Sequence, residues 1–83
     1  MGKQHFIQKG DGSEVSITQE GEIAGFRAGD RVRYTDECFP HLSGKTALVV
    51  GFDEQNQIWT QPDGQTGCAS TREDHATKHL IKL

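Results

Sequence analysis

The chain has 83 residues, with nine Lys and Arg against twelve Asp and Glu, a formal net charge of −3 and 33% hydrophobic residues. This length allows one small domain with a modest core and excludes a large buried active-site cavity. The acidic balance removes the general attraction to phosphate that drives non-specific nucleic-acid binding, although a local basic patch remains compatible with it. No segment approaches the roughly 20 apolar residues of a membrane span, and the first ten residues lack a secretory signal pattern. We therefore predict a cytoplasmic protein that does not bind membranes.

Residues 1–24 have two open interpretations. Residues 15–18 alternate between apolar and polar side chains, which is typical of a strand. The Gly-Asp-Gly sequence at residues 10–12 offers a turn. Residues 5–18 therefore form either a hairpin or a mobile arm. We assign residues 1–24 to an N-terminal arm or hairpin and residues 25–83 to the folded domain.

Two segments carry the pattern of core strands. Residues 31–35 alternate between polar and apolar types, so Val32 and Tyr34 are predicted to face the same side of a sheet. Residues 46–52 form the most apolar segment, and their β-branched content favours a central strand over a helix. These two segments are expected to supply the centre of the core.

A hairpin is predicted where residues 57–61 follow residues 46–52 across a polar turn at 53–56. This arrangement predicts that Trp59 packs against Val49 or Phe52.

The C-terminal part combines short elements. Residues 68–70 are predicted to form a short strand, and Ser70 and Glu73 have the spacing of a capping box at the start of a helix. That helix is predicted over 71–78 and has hardly any apolar face, which is typical of a connector. Residues 80–83 are predicted to close the chain as a strand.

Residues 28–34 read Ala-Gly-Asp-Arg-Val-Arg-Tyr, and residues 42–53 read Leu-Ser-Gly-Lys-Thr-Ala-Leu-Val-Val-Gly-Phe-Asp. This sequence resembles the small SH3-like β-barrels of the KOW type, in which a GD-x-V strand is followed by a loop, a G-K-x-G-x-V turn and strand, and a hairpin. Ala47 stands where that pattern has its second glycine. The resemblance, over residues 28–53, implies an all-β fold: a strongly bent antiparallel barrel of about five strands with one short helical turn before the C-terminal strand.

The contact surface is predicted around residues 35–42. This loop places Phe39 and Leu42 between two strands, where a barrel usually exposes a loop, and exposed apolar side chains indicate a contact surface. Alternatively, Phe39 folds over the open end of the barrel, and Trp59 serves the core rather than binding. Our main hypothesis is a non-enzymatic interaction module or small accessory subunit. It would bind another protein through Tyr34, Phe39, Leu42 and Trp59.

The alternative hypothesis is a nucleic-acid-binding domain of the KOW type, acting on RNA or single-stranded DNA. Its binding residues would be the basic side chains Arg27, Arg31, Arg33 and Lys45. The discriminating feature is whether these four charges converge on one face that is free of carboxylates.

A zinc site can be drawn from cysteine and histidine residues, namely Cys38, His41, Cys68, His75 and His79. Structural zinc modules pair their ligands more tightly than this chain does. We therefore predict no metal and no cofactor, with the cysteines acting as small apolar fillers and the histidines solvated. A disulfide between the two cysteines would be the only one, and we expect both thiols to be reduced.

Either cysteine, together with His75 and Asp74, supplies the residue types of a cysteine-hydrolase triad. Such a site needs a thiol of lowered pKa, a preformed cleft and an oxyanion hole, which a chain this short seldom provides. We predict that the protein is not an enzyme.

Overall fold

The computed structural model describes residues 4–35 and 40–83. These residues form an antiparallel β-sheet with one short α-helix, so the all-β prediction is confirmed. The seven strands of the described residues are β1 (Gln4–Gln8), β2 (Glu14–Thr18), β3 (Arg31–Tyr34), β4 (Thr46–Phe52), β5 (Gln57–Pro62), β6 (Ala69–Arg72) and β7 (Leu80–Lys82). A 3₁₀-helix covers Pro40–Leu42, and the α-helix α1 covers Glu73–His79.

Strand β4 lies at the centre of the sheet. It pairs with β3 along its first half, with β5 along most of its length, and with β2 at the single pair Thr18↔Phe52. Strand β7 continues the sheet beyond β3, and β6 continues it beyond β5. Because the path β1-β2-β4-β3-β7 ends at β1 and β7, the sheet formed by the described residues is open. Helix α1 directly precedes β7, as predicted.

Residues 4–18 form a hairpin, which is one of the two interpretations left open by the sequence. Strands β1 and β2 pair over five residue pairs, and the turn between them lies at the predicted Gly-Asp-Gly sequence. Asp11 Oδ1 accepts a hydrogen bond from the Ser13 amide at 2.9 Å. Gly12 has a φ of +89°, which glycine adopts without steric cost. These contacts explain why the chain reverses here.

The main core lies on one face of the central strands. It contains Phe26, Val32, Tyr34, Leu42, Ala47, Val49, Phe52, Ile58, Ala76 and Leu80. The Tyr34 and Thr60 hydroxyl oxygens are 2.7 Å apart, and the Thr60 hydroxyl also donates to the Ala69 carbonyl at 3.4 Å. The Tyr34 ring is therefore buried in the apolar core with its hydroxyl group hydrogen-bonded.

Trp59 lies on the opposite face of the sheet, so its predicted packing against Val49 or Phe52 is wrong. A β-bulge in β4 between Val49 and Gly51 places Phe52 on the same face as Val49. Val49 pairs with Thr60 and Phe52 with Ile58, so all four side chains point into the main core. Strict alternation along β5 then directs Trp59, between Ile58 and Thr60, to the other side.

A second apolar cluster surrounds Trp59. It joins the indole to buried Ile17 and Cys68 and to the partly buried side chains Ile7, Val15 and Val50. The hairpin thus covers the outer face of β4 and β5. It also makes a parallel bridge, in which the Cys68 amide donates to the Gln8 carbonyl at 2.8 Å.

The start of α1 differs from the prediction. Ser70 lies within β6, and the N-cap is Arg72, which makes no side-chain capping hydrogen bond. The capping box is therefore wrong, because pairing of Arg72 with Gln57 keeps the chain extended up to the helix. In the described part of the chain, no helix has the length and apolar character to cross a bilayer.

Candidate functional site

Three of the predicted contact residues are buried, and for Trp59 this agrees with the alternative that it serves the core. Tyr34 is 1% exposed, Leu42 is 3% exposed and Trp59 is 6% exposed. Tyr34 and Leu42 fill the main core, and the N-terminal hairpin covers Trp59. Phe39 lies outside the described residues. The contact surface at residues 35–42 therefore stays a prediction, and a candidate site is sought among the described residues.

Two of the four predicted basic residues are paired with carboxylates. Arg27 Nε lies 2.9 Å from Glu22 Oε1. Arg31 donates two hydrogen bonds to Asp63, at 3.0 and 2.6 Å, in the bidentate arrangement typical of arginine and a carboxylate. The Thr46 hydroxyl also donates to Asp63. These partners offset the positive charge of Arg27 and Arg31.

Arg33 and Lys45 are exposed and have no carboxylate partner in residues 4–35 and 40–83. Arg33 follows Arg31 on the outward face of β3, and Lys45 is adjacent to Tyr34, whose amide donates to the Lys45 carbonyl at 3.0 Å. A basic stripe free of carboxylates therefore does not extend over all four residues.

Cys68 does not have the properties of a nucleophile. It is a free thiol, 7% exposed, and burial raises the pKa of the Cys68 thiol. A nucleophilic cysteine needs the opposite direction of shift. His75 Nε2 lies 3.7 Å from Asp74 Oδ2, and both residues belong to α1. Cys38 lies outside the described residues.

The two histidines of α1 stack on each other. The rings of His75 and His79 have centroids 5.4 Å apart and an interplanar angle of 6°. In the described residues, no group of three or more His, Cys, Asp or Glu side chains is placed to hold a metal ion. The arrangement is that of two neighbouring rings on one helix face.

Two concavities flank the turn between β4 and β5. The first has a volume of about 510 Å³ and lies between the N-terminal hairpin and the turn, over a floor formed by Gln57, Trp59 and Ser70. The second has a volume of about 600 Å³ and lies between the turn and the start of α1. Both are lined by Gln55 and Gln57, so they adjoin. We call the two concavities together the polar trough.

The turn beside the polar trough is held by one carboxylate. Asp53 Oδ1 accepts hydrogen bonds from the amides of Gln55 and Gln57, both at 2.9 Å. Asp53 Oδ2 accepts a third from Trp59 Nε1, also at 2.9 Å. The turn is therefore fixed both to its own backbone and to the floor of the trough. Aspartate side chains commonly accept hydrogen bonds from the backbone of a turn. An aspartate at the start of the polar turn is therefore the one sequence signal that could have indicated this fixed turn.

The lining of the polar trough is rich in groups that both donate and accept hydrogen bonds. Gln55, Asn56 and Gln57 supply side-chain amides, and Ser16 and Ser70 supply hydroxyls. Each peptide unit of an extended chain also presents one donor and one acceptor. The trough is therefore chemically suited to a polypeptide segment.

Sequence reasoning missed this site because its walls come from distant parts of the chain, around residues 9–16, 53–57 and 70–74. No protein-family model, no curated protein and no solved structure matches this chain. Function has to be inferred from the polar trough and from the charges around it.

Proposed function

We propose that this protein is a non-enzymatic interaction module, or a small accessory subunit, that binds a segment of another protein in the polar trough. The observation that carries this proposal is the trough itself. Its two adjoining concavities, of about 510 and 600 Å³, are within the size range of protein ligand sites.

The rigidity of the turn supports this assignment. Gln55 and Gln57 line both concavities, and their backbone amides are bonded to Asp53. A site whose walls are fixed before binding loses less conformational entropy when its partner arrives. The side chains of the turn are thus presented by a preorganised backbone.

The SH3-like barrel remains our proposal for the scaffold. Its support is the connectivity of β3–β7: β3 lies between β4 and β7, while β4, β5 and β6 are consecutive antiparallel neighbours. Helix α1 enters the last strand as the resemblance implies. A cytoplasmic location is part of the same proposal.

The proposal is tested by measuring peptide binding through the chemical shifts of the backbone amides of the protein. Isotope-labelled protein is titrated with peptides selected from a random-sequence library, and the amide shifts are mapped. We expect shifts at Gln55, Gln57 and Ser70, and weaker binding by Gln57→Ala. The matched control is Gln61→Ala, since Gln61 lies on the same strand but outside the trough. Selected peptides that shift only residues away from the trough would contradict the proposal.

A nucleic-acid-binding role is the second candidate. It is supported by the exposure of Arg33 and Lys45 and by their lack of a carboxylate partner among the described residues. Titration with single-stranded oligonucleotides at low salt tests it. This role requires binding that weakens steeply with salt and that is lost in the Arg33→Ala and Lys45→Ala variants.

A further inference from the structure

We infer that the segment bound in the polar trough is an extended one that carries Lys or Arg side chains. This inference rests on the proposed function, because it names the partner of the same site. It starts from the ionisable side chains that line the trough, which are four carboxylates and two cations: Asp53, Glu54, Glu73, Asp74, Lys9 and Arg72. Four negative charges against two positive ones leave the lining with a formal charge of −2.

Two of the four carboxylates are already used within the protein. Asp53 accepts three hydrogen bonds from the turn and from Trp59. Asp74 lies 3.5 Å from Arg72 Nε and 3.7 Å from His75 Nε2. Arg72 and Asp74 thereby offset each other. The other charges of the lining are those of Asp53, Glu54 and Glu73 against Lys9, which keep the formal sum at −2.

Glu54 and Glu73 are the carboxylates that a partner can use. Both are exposed, and neither makes an ion pair or a side-chain hydrogen bond with any residue in the described ranges. Glu54 lines the first concavity and Glu73 lines the second. Each concavity therefore presents one carboxylate without an internal partner, and a segment that crosses both meets the two in succession.

A polypeptide with cationic side chains is the chemistry that complements this arrangement. In an extended chain, alternate side chains point to the same side, so a segment with basic residues at alternate positions can direct its cations to one wall. The side-chain amide of Gln57 donates to that of Gln55 at 3.2 Å, and the remaining N–H and C=O groups of these two amides are available to hydrogen-bond to the backbone of the segment. The same carboxylates disfavour phosphate, so nucleic acid is not the occupant that this surface favours.

The expected electrostatic contribution is modest, because both carboxylates face solvent. An exposed ion pair is worth about 0.2 to 1 kcal/mol, which corresponds to a change in Kd of about 1.4-fold to fivefold for each carboxylate removed. Screening by salt is expected to weaken the same interaction.

The experiment compares three extended peptides of equal length, in which Thr alternates with Lys, with Gln or with Glu. Each is titrated into the labelled full-length protein. The inference requires that the Lys peptide binds most tightly, shifts the amides of Gln55 and Gln57, and weakens as salt is added. Glu54→Gln and Glu73→Gln should each raise its Kd by up to about fivefold. Glu20→Gln is the matched control, since Glu20 is exposed outside the trough, and should leave the Kd unchanged.

The outcomes separate this inference from the proposed function. If the Gln or Glu peptide binds in the trough as tightly as the Lys peptide, the basic partner is wrong and the interaction module stands. The same holds if the Lys peptide binds there but neither Glu variant changes its Kd. If neither these peptides nor any library-selected peptide shifts the trough, both proposals are overturned.

Discussion

Trp59 Nε1 donates a hydrogen bond to Asp53 Oδ2 across 2.9 Å, and this bond joins the second apolar cluster to the turn that divides the polar trough. The indole thus has two roles at once. Its apolar surface packs under the N-terminal hairpin, while its one polar atom fixes the position of the turn. Trp59 therefore shapes the trough while being almost entirely buried.

Asp53→Ala tests this relationship. The substitution removes the acceptor of three N–H donors, two of which are partly buried, so we expect the free energy of unfolding to fall by about 1 to 3 kcal/mol. Trp59 fluorescence should change as the indole loses its partner. The measurement is urea denaturation followed by fluorescence. Glu54→Ala removes a neighbouring carboxylate that bonds to nothing in the described residues, and a similar loss there would contradict the assigned role.

Gly51→Ala tests the contact between the N-terminal hairpin and the sheet. A Cβ atom at Gly51 would lie 2.6 Å from the Thr18 carbonyl oxygen and 2.8 Å from Ile17 Cδ1. Since a backbone atom cannot move aside cheaply, we expect a loss of about 2 kcal/mol or more, with the largest amide shifts in β2. Gly10→Ala is the control, because a Cβ atom there meets nothing within 4 Å. Equal losses in both variants would contradict the steric explanation.

Two buried threonines offer a matched pair. Thr71 Oγ1 has no hydrogen-bond partner among the described residues, whereas Thr60 Oγ1 contacts Tyr34 and Ala69. Thr71→Val should therefore be neutral or stabilising by up to about 1 kcal/mol. Thr60→Val leaves the Tyr34 hydroxyl without this contact and should cost about 1 to 3 kcal/mol. Thermal and urea unfolding should show Thr60→Val below the wild-type stability and Thr71→Val at or above it, and a destabilised Thr71→Val would contradict an unpartnered hydroxyl at Thr71.

Acid should weaken the fold partly through Asp63. Hydrogen bonds from Arg31 and then from Thr46 lower the pKa of the Asp63 carboxyl below its ordinary value of 3.8. Because the folded pKa is the lower one, the stabilisation is complete above the unfolded pKa and is lost as pH falls through the folded pKa.

Unfolding free energies of wild type and Asp63→Asn, measured from about pH 7 to about pH 2, check this direction. The two curves should converge at the acidic end, because Asp63 is then neutral in both proteins. A difference that stays constant over the whole range would contradict the assignment. The pKa of Asp30 is lowered chiefly by the hydrogen bond from the Arg27 amide and then by Lys82. Asp30 should therefore also make the free energy of unfolding decrease as the pH falls.

Local patterns were sufficient to predict most strands, because alternation and turn residues act over a few neighbouring positions. Val32 and Tyr34 face the core as their spacing indicates, and the polar turn at 53–56 separates β4 from β5 as predicted. The local sequence did not distinguish a hairpin from a mobile arm at the N-terminus. Ile17 is buried only because Trp59 and Cys68, far away in sequence, complete the cluster around it.

The sequence by itself determined an all-β chain with short strands, a polar turn after β4 and a helix before the last strand, since these depend on local side-chain pattern and backbone preference. Only the tertiary structure decided which face each strand presents. Val49 and Phe52 are three residues apart and share the main core because a bulge at Val50 shifts the register. That shift brings Phe52 to the main core, whereas Trp59 points towards the hairpin and is buried beside the polar trough because successive side chains of β5 point to opposite faces of the sheet.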